Sequence, residues 1–179
     1  MRFWVSTFVL AVVVSITSFY ATLAYIPINE MRKAEKRIAT VAGGRNVIRH
    51  GTRATSKFRS VVRPSPDQLY SACVYDLSDG PVRFSGSIPD TYWSLSMFSH
   101  NSDNFFVVND SQMEDQTYDY VLIKKGQRTP EGVPVERVIA SPSKTGIALV
   151  RIFIDKDDRL EELDRVQRLG NCSSLANEN

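Results

Sequence analysis

Residues 69–88 read LYSACVYDLSDGPVRFSGSI, and the fold is decided there. Leu69 to Asp76 is dense in residues that suit a pleated surface, and Leu77-Ser-Asp-Gly80-Pro81 is a turn signal. From Val82 to Ile88 apolar and polar residues alternate, so one face is buried and the other wet, and the two runs are expected to pair as a hairpin. Further runs of the same kind follow at Tyr92–Phe98, Asn104–Val108, Tyr118–Lys124, Val135–Ile139 and Gly146–Ile154, separated by Gly, Pro, Asn and Asp. Short strands at that spacing predict a mainly β fold, an antiparallel β-sandwich or roll, rather than a parallel sheet with crossover helices. A chain of 179 residues with 42% apolar and 23% charged residues supports one such core.

One amphipathic helix is predicted to close the chain over Asp155–Leu169. Leu160, Leu163, Val166 and Leu169 fall on one stripe, acids fill the first turns, and Gly170 stands where a left-handed stop is expected.

Working back toward the N-terminus, the character changes. Phe3 to Ile26 contains no charged residue, and about twenty helical residues rise about 30 Å, the thickness of the hydrocarbon layer. Trp4 near one end, with Tyr20 and Tyr25 near the other, suits the interfaces, and Pro27 is expected to stop the helix. A retained single-pass transmembrane anchor is the reading adopted; the alternative is a secretory signal cleaved after Ala24, against which stand the length of the apolar run and the charged stretch behind it.

Residues 28–40 predict a short basic juxtamembrane helix, and residues 41–63 a basic linker. The organisation expected is therefore an anchor over 1–27, a basic helix and linker over 28–63, and a β domain with its closing helix over 64–179. Residues 1–63 hold eleven Lys and Arg against Glu30 and Glu35, net +9, whereas residues 64–179 are net −7. Arg45, Arg49, Arg53, Lys57 and Arg59 are candidates for contact with anionic lipid headgroups, the alternative being a solvated linker. Nucleic acid is not indicated, because the total charge is only +2 and the single aromatic among these basic residues is Phe58.

Orientation receives two opposed signals. Arg32, Lys33, Lys36, Arg37 and Arg45 follow the span, while only Arg2 precedes it, which by the positive-inside rule places the C-terminal domain in the cytoplasm. The two cysteines, Cys73 and Cys172, suit either a structural disulfide in an oxidising compartment or two unrelated buried thiols.

Several motifs between Val62 and Asn109 form a recognisable set. Arg63-Pro-Ser-Pro-Asp67-Gln-Leu-Tyr70, Tyr75-Asp-Leu-Ser-Asp-Gly-Pro-Val82, Pro89-Asp-Thr-Tyr92-Trp93-Ser94 and Asn104-Phe-Phe resemble the bacterial domain-of-unknown-function 1254 family, in particular its small membrane-anchored members. The resemblance implies a predominantly β domain behind one N-terminal span in the bacterial inner membrane, a periplasmic setting, and a disulfide between Cys73 and Cys172. It also implies a membrane-protein partner, a companion of the domain-of-unknown-function 1214 type. It supplies no activity.

The chemistry-bearing motifs are few. No nucleophile elbow, Walker loop, dinucleotide-binding fingerprint or His-Glu-x-x-His motif occurs, and no cofactor or metal is called for. His100 beside Asp103 and Asp110, and the acidic run Asp110, Glu114, Asp115 and Asp119, read as polar loops rather than metal sites. Asp67, Tyr70, Tyr92 and Trp93 are the candidate binding residues. A non-catalytic envelope binding module is the favoured function. The alternative is an enzyme modifying an envelope lipid or glycan through Asp67, which requires Asp67, Tyr70 and a second polar group to converge in a pocket.

Overall fold

The computed structural model describes residues 2–55 and 64–175. It begins with one helix, α1 (Arg2–Ala42), which runs without a break through Pro27. The expected stop at Pro27 is thus corrected, and the segments read as anchor and juxtamembrane helix form one rod of about 60 Å. Proline removes one backbone hydrogen bond and crowds the preceding turn. Here the segment beyond it is held helical by packing, with Met31, Ala34, Ile38 and Ala39 seated on Val74, Phe98 and Ile147. The rod ends at Gly43, whose φ of 86° is the left-handed stop, and the Gly44 N–H donates back to the Ala39 carbonyl at 2.9 Å.

Among the described residues nine strands follow: β1 (Ile48–His50), β2 (Gln68–Asp76), β3 (Val82–Ser87), β4 (Trp93–Ser99), β5 (Asn104–Asn109), β6 (Thr117–Lys124), β7 (Val138–Ser141), β8 (Thr145–Phe153) and β9 (Asn171–Ser174). They form a five-stranded sheet in the order β1-β2-β8-β4-β5 and a four-stranded sheet in the order β7-β6-β3-β9. Leu69, Cys73, Tyr75, Trp93, Leu95, Met97 and Val150 from the first sheet share one core with Val82, Phe84, Tyr118, Leu122 and Cys172 from the second.

The expected hairpin of β2 with β3 does not form. β2 pairs with β1 and β8, and β3 with β6 and β9, so the turn at 77–81 carries the chain from one sheet to the other. The reason lies in the burial of β2. Val74 lies under α1 while Cys73 and Tyr75 enter the core, and a strand covered on both faces takes a place inside its sheet. The antiparallel expectation also fails at one pair, because β6 and β7 run parallel. β1 lies inside the stretch read as a linker, and residues 135–137, read as strand, form a 3₁₀ turn.

The closing helix is shorter than expected. A 3₁₀ turn at Asp157–Arg159 leads into α2 (Leu160–Arg168), which seats Leu163 and Gln167 while Leu169 is left exposed. Gly170 is not a left-handed stop; its role is close approach. A Cβ on Gly86 would lie 2.9 Å from the Gly170 Cα, so the two backbones meet where only glycine fits. β9 then pairs with β3, and Cys172 is bonded to Cys73, joining the two sheets across the core with the Cα atoms 6.5 Å apart.

Candidate functional site

Strand parity decides where the candidate residues go. Tyr70 is opposite Arg151, and Arg151 is opposite Ser94, so all three share the outer face of the five-stranded sheet. The Tyr92 carbonyl accepts from the Phe153 N–H at 2.9 Å, and the next N–H, of Ile154, donates to the Asp67 carbonyl at 2.8 Å. The end of β8 therefore gathers Asp67 and Tyr92 on either side of Phe153. Tyr92 is 46% and Phe153 40% exposed. Trp93 is turned the other way, fully buried, with its ring 4.9 Å from that of Tyr118.

Asp67 points to the surface and pairs with Arg53 at 3.9 Å. Arg53 is also held by Asp157 at 2.8 Å and by the Pro66 carbonyl, so its guanidinium is engaged by the β domain itself. Arg45 is likewise engaged, 3.4 Å from Glu35 and 3.3 Å from Asp76. Glu35, buried where α1 meets β8, accepts from the Thr145 hydroxyl at 3.2 Å. Burial pushes its pKa up against the pull of Arg45. Arg49 is exposed on β1, whereas Lys57 and Arg59 lie outside the described residues.

The first and last members of the acidic run, Asp110 and Asp119, have structural partners. Asp119 is gripped by Arg83 at 2.7 Å and Arg137 at 3.2 Å, and the Arg83 hydrogen bonds hold its carboxyl below the usual range. Asp110 accepts from the Trp93 N–H at 3.2 Å. No group of three metal-ligating side chains occurs among the described residues.

A contact that the sequence reading missed lies beneath α2. His50 Nδ1 is 2.9 Å from Ser71 Oγ, and the ring also bonds the Gly170 backbone. With its proton on Nε2, the ring would offer Nδ1 as the acceptor of the serine proton. This is the arrangement of a base and a nucleophile. Yet Ser71 is 2% exposed and borders a cavity of about 10 Å³, the size of one water, shared with Trp93, Tyr118 and Gln167. No substrate carbonyl reaches Ser71, and the pair instead fastens β1 and β2 to the end of α2, beside the Gln167 amide that donates to the Tyr70 carbonyl at 2.9 Å. Asp67, Tyr70 and Tyr92 do not line this cavity.

Burial first, and then the nearby charge of Arg168, lower the His50 pKa below 6.5, while the Gly170 carbonyl and Asp164 oppose the shift. Below that pH the unfolded chain binds more protons than the native one, so stability rises as pH climbs to 6.5 and is lost as pH falls. Urea midpoints across this range are expected to show that rise in the wild type and to lack it in His50→Gln; parallel curves would refute the assignment.

Two sheets with a common core, laced by a disulfide and mounted on a long apolar helix, define a β-rich domain on a helical stalk. The chain belongs to the family described as Protein of unknown function (DUF1254), whose model matches residues 45–173, from just before β1 into β9, leaving α1 outside. Its fold is similar to that of the VPA0106 protein from Vibrio parahaemolyticus, with a TM-score of 0.61 and 16% identity over 87% of this chain and 38% of that one. It is also similar to an uncharacterized protein from Burkholderia cenocepacia, with a TM-score of 0.51 and 12% identity over 83% of this chain and 40% of that one. The chain thus spans about two fifths of the length of either. No curated protein matches it.

Proposed function

We propose that the protein is a single-pass protein of the bacterial inner membrane whose periplasmic β domain, a two-sheet sandwich, is a non-catalytic binding module. The observation that carries this reading is the open sheet face on which Tyr70, Arg151, Tyr92 and Phe153 lie together with Asp67 at the rim. Tyrosine and arginine are the residue types that dominate binding energy at protein interfaces. The helix Phe3–Ala42 is long and apolar enough to cross a membrane, and its most apolar window is not buried against the domain. The Cys73–Cys172 bond supports an oxidising compartment over the cytoplasmic placement that the flanking charges favour.

The partner is a second membrane protein. We assign that place to a companion of the domain-of-unknown-function 1214 type, the kind of partner implied by the family resemblance. Lipid contact is a subsidiary role. With Arg45 and Arg53 bound internally, it falls to Arg32, Lys33, Lys36 and Arg37, all exposed on α1, and not to Arg49 on β1.

Membranes washed with carbonate are expected to retain the full chain with its first 26 residues. Mild detergent extraction followed by mass spectrometry should then recover one stoichiometric membrane partner, lost on Tyr92→Ala with Arg151→Glu. A mature N-terminus at Tyr25 defeats the anchor, and recovery of the chain alone defeats the partner.

A further inference from the structure

We infer that the β domain stands on the membrane by the open edge of β5, which rests in the phospholipid headgroup layer of the bilayer that α1 crosses. This rests on the reading of α1 as a membrane span and adds to it a defined attitude of the domain.

Three contacts fix how α1 lies across the five-stranded sheet. In the turn just past its far end, the Asn46 N–H donates to the Val74 carbonyl of β2 at 2.8 Å. Midway, Glu35 meets Thr145 at the start of β8. Nearest the apolar segment, the Pro27 carbonyl accepts from Ser102 Oγ at 3.1 Å, in the loop between β4 and β5. Between these points the helix packs on Val74, Ile147 and Phe98, which lie opposite one another on β2, β8 and β4.

The spacings agree with a helix running along the hydrogen-bonding direction of the sheet. From Glu35 to Pro27 is eight residues, about 12 Å of helix. From β8 to β5 is two strand spacings, about 10 Å. The helix therefore passes the sheet strand by strand and leaves it at β5, where the uncharged stretch from Ile26 back to Phe3 begins. If that stretch spans the bilayer, the strands lie along the membrane plane. Strand order becomes a measure of depth, with β5 lowest and β1 about 19 Å above it.

The lower edge is open. Among the described residues β5 pairs only with β4, and Val107, on the face that carries α1, is 52% exposed. An unpaired edge offers backbone N–H and carbonyl groups that invite another strand; the headgroup layer supplies phosphate oxygens and water to satisfy them. Local charge selects the lipid. Asp103 and Asp110 flank the strand, while Arg32 and the Glu30-paired Lys33 stand exposed on the adjoining turn of α1. A surface of both signs matches zwitterionic headgroups, whose ammonium and phosphate groups answer each.

The test uses the full chain reconstituted in phosphatidylethanolamine–phosphatidylcholine vesicles containing a headgroup-nitroxide lipid. A single fluorophore is attached through Val107→Cys or Arg49→Cys; the native cysteines are bridged and only 1% and 3% exposed, so the added thiol is selectively labelled. The label at 107 is expected to lose most of its emission to the nitroxide lipid, and the label at 49 to keep it. Equal quenching, or stronger quenching at 49, overturns the proposal. A label at 107 shielded from both the nitroxide lipid and aqueous iodide also overturns it, assigning the edge to a second copy or a protein partner. Flotation separates the two levels: chain that fails to float with the vesicles refutes the span itself, whereas floating chain with the wrong quenching pattern refutes only the attitude.

Discussion

Replacing Cys73 and Cys172 together by serine is expected to lower the unfolding free energy by about 4 kcal/mol, a large part of the total stability of a domain this size. The bond closes a sequence separation of 99 residues, and its absence releases that constraint from the unfolded chain. Its position adds a native-state effect. Cys73 sits inside β2, and Cys172 in the four-residue edge strand β9, so the bond ties the last strand of one sheet to an interior strand of the other. Without it, β9 is held by β3 and by the seating of α2. Urea unfolding of the wild type with and without reductant, beside the double variant, measures the effect. The reduced wild type and the variant should coincide, and an unmoved midpoint would show that the bond contributes nothing.

Trp93→Ala is expected to cost about 3–5 kcal/mol, the range for truncating a large buried aromatic. The ring is fully buried against Tyr118 and already borders a cavity, so truncation enlarges an existing void. Its indole N–H is buried without a hydrogen-bond partner among the described residues. Trp93→Phe, which removes that N–H and keeps most of the ring, should therefore lose much less. Thermal unfolding of the two variants decides between a core residue and the binding aromatic suggested by the sequence. A stable Trp93→Ala protein that no longer recovers the proposed membrane partner would restore the binding role.

The sequence disclosed local structure far better than partner choice. β4, its loop and β5 were legible because a strand, a polar turn and a second strand adjacent in the chain form a hairpin. The partners of β2 and β3 were not, because alternation says which side chains are buried and nothing about which strand lies alongside. β1 and β9, with IRH and NCSS, are too short and polar to carry a period. Missing β1 concealed His50 against Ser71, a contact between residues 21 apart that exists only through that pairing. Tyr92 and Trp93 show the same limit within one dipeptide: neighbours in an extended run must point to opposite faces, but the core face was chosen by the register with β8. Pro27 was misread because its effect on an isolated helix is overridden by the docking of the turns behind it.

The unbroken passage of α1 through Pro27 leaves no slack between stalk and head. A flexible tether would let the domain tumble above its anchor. Here the last turns of the helix are clamped to the sheet, and the whole chain moves as a lever. Set in a bilayer, a hydrophobic segment longer than the local thickness accommodates by tilting, with about 20° a common inclination. Every degree of that lean passes undiminished to the head, swinging its aromatic face through the same angle. Where α1 spans a bilayer as proposed, the thickness of that bilayer becomes a mechanical input that sets the direction in which the sheet face points.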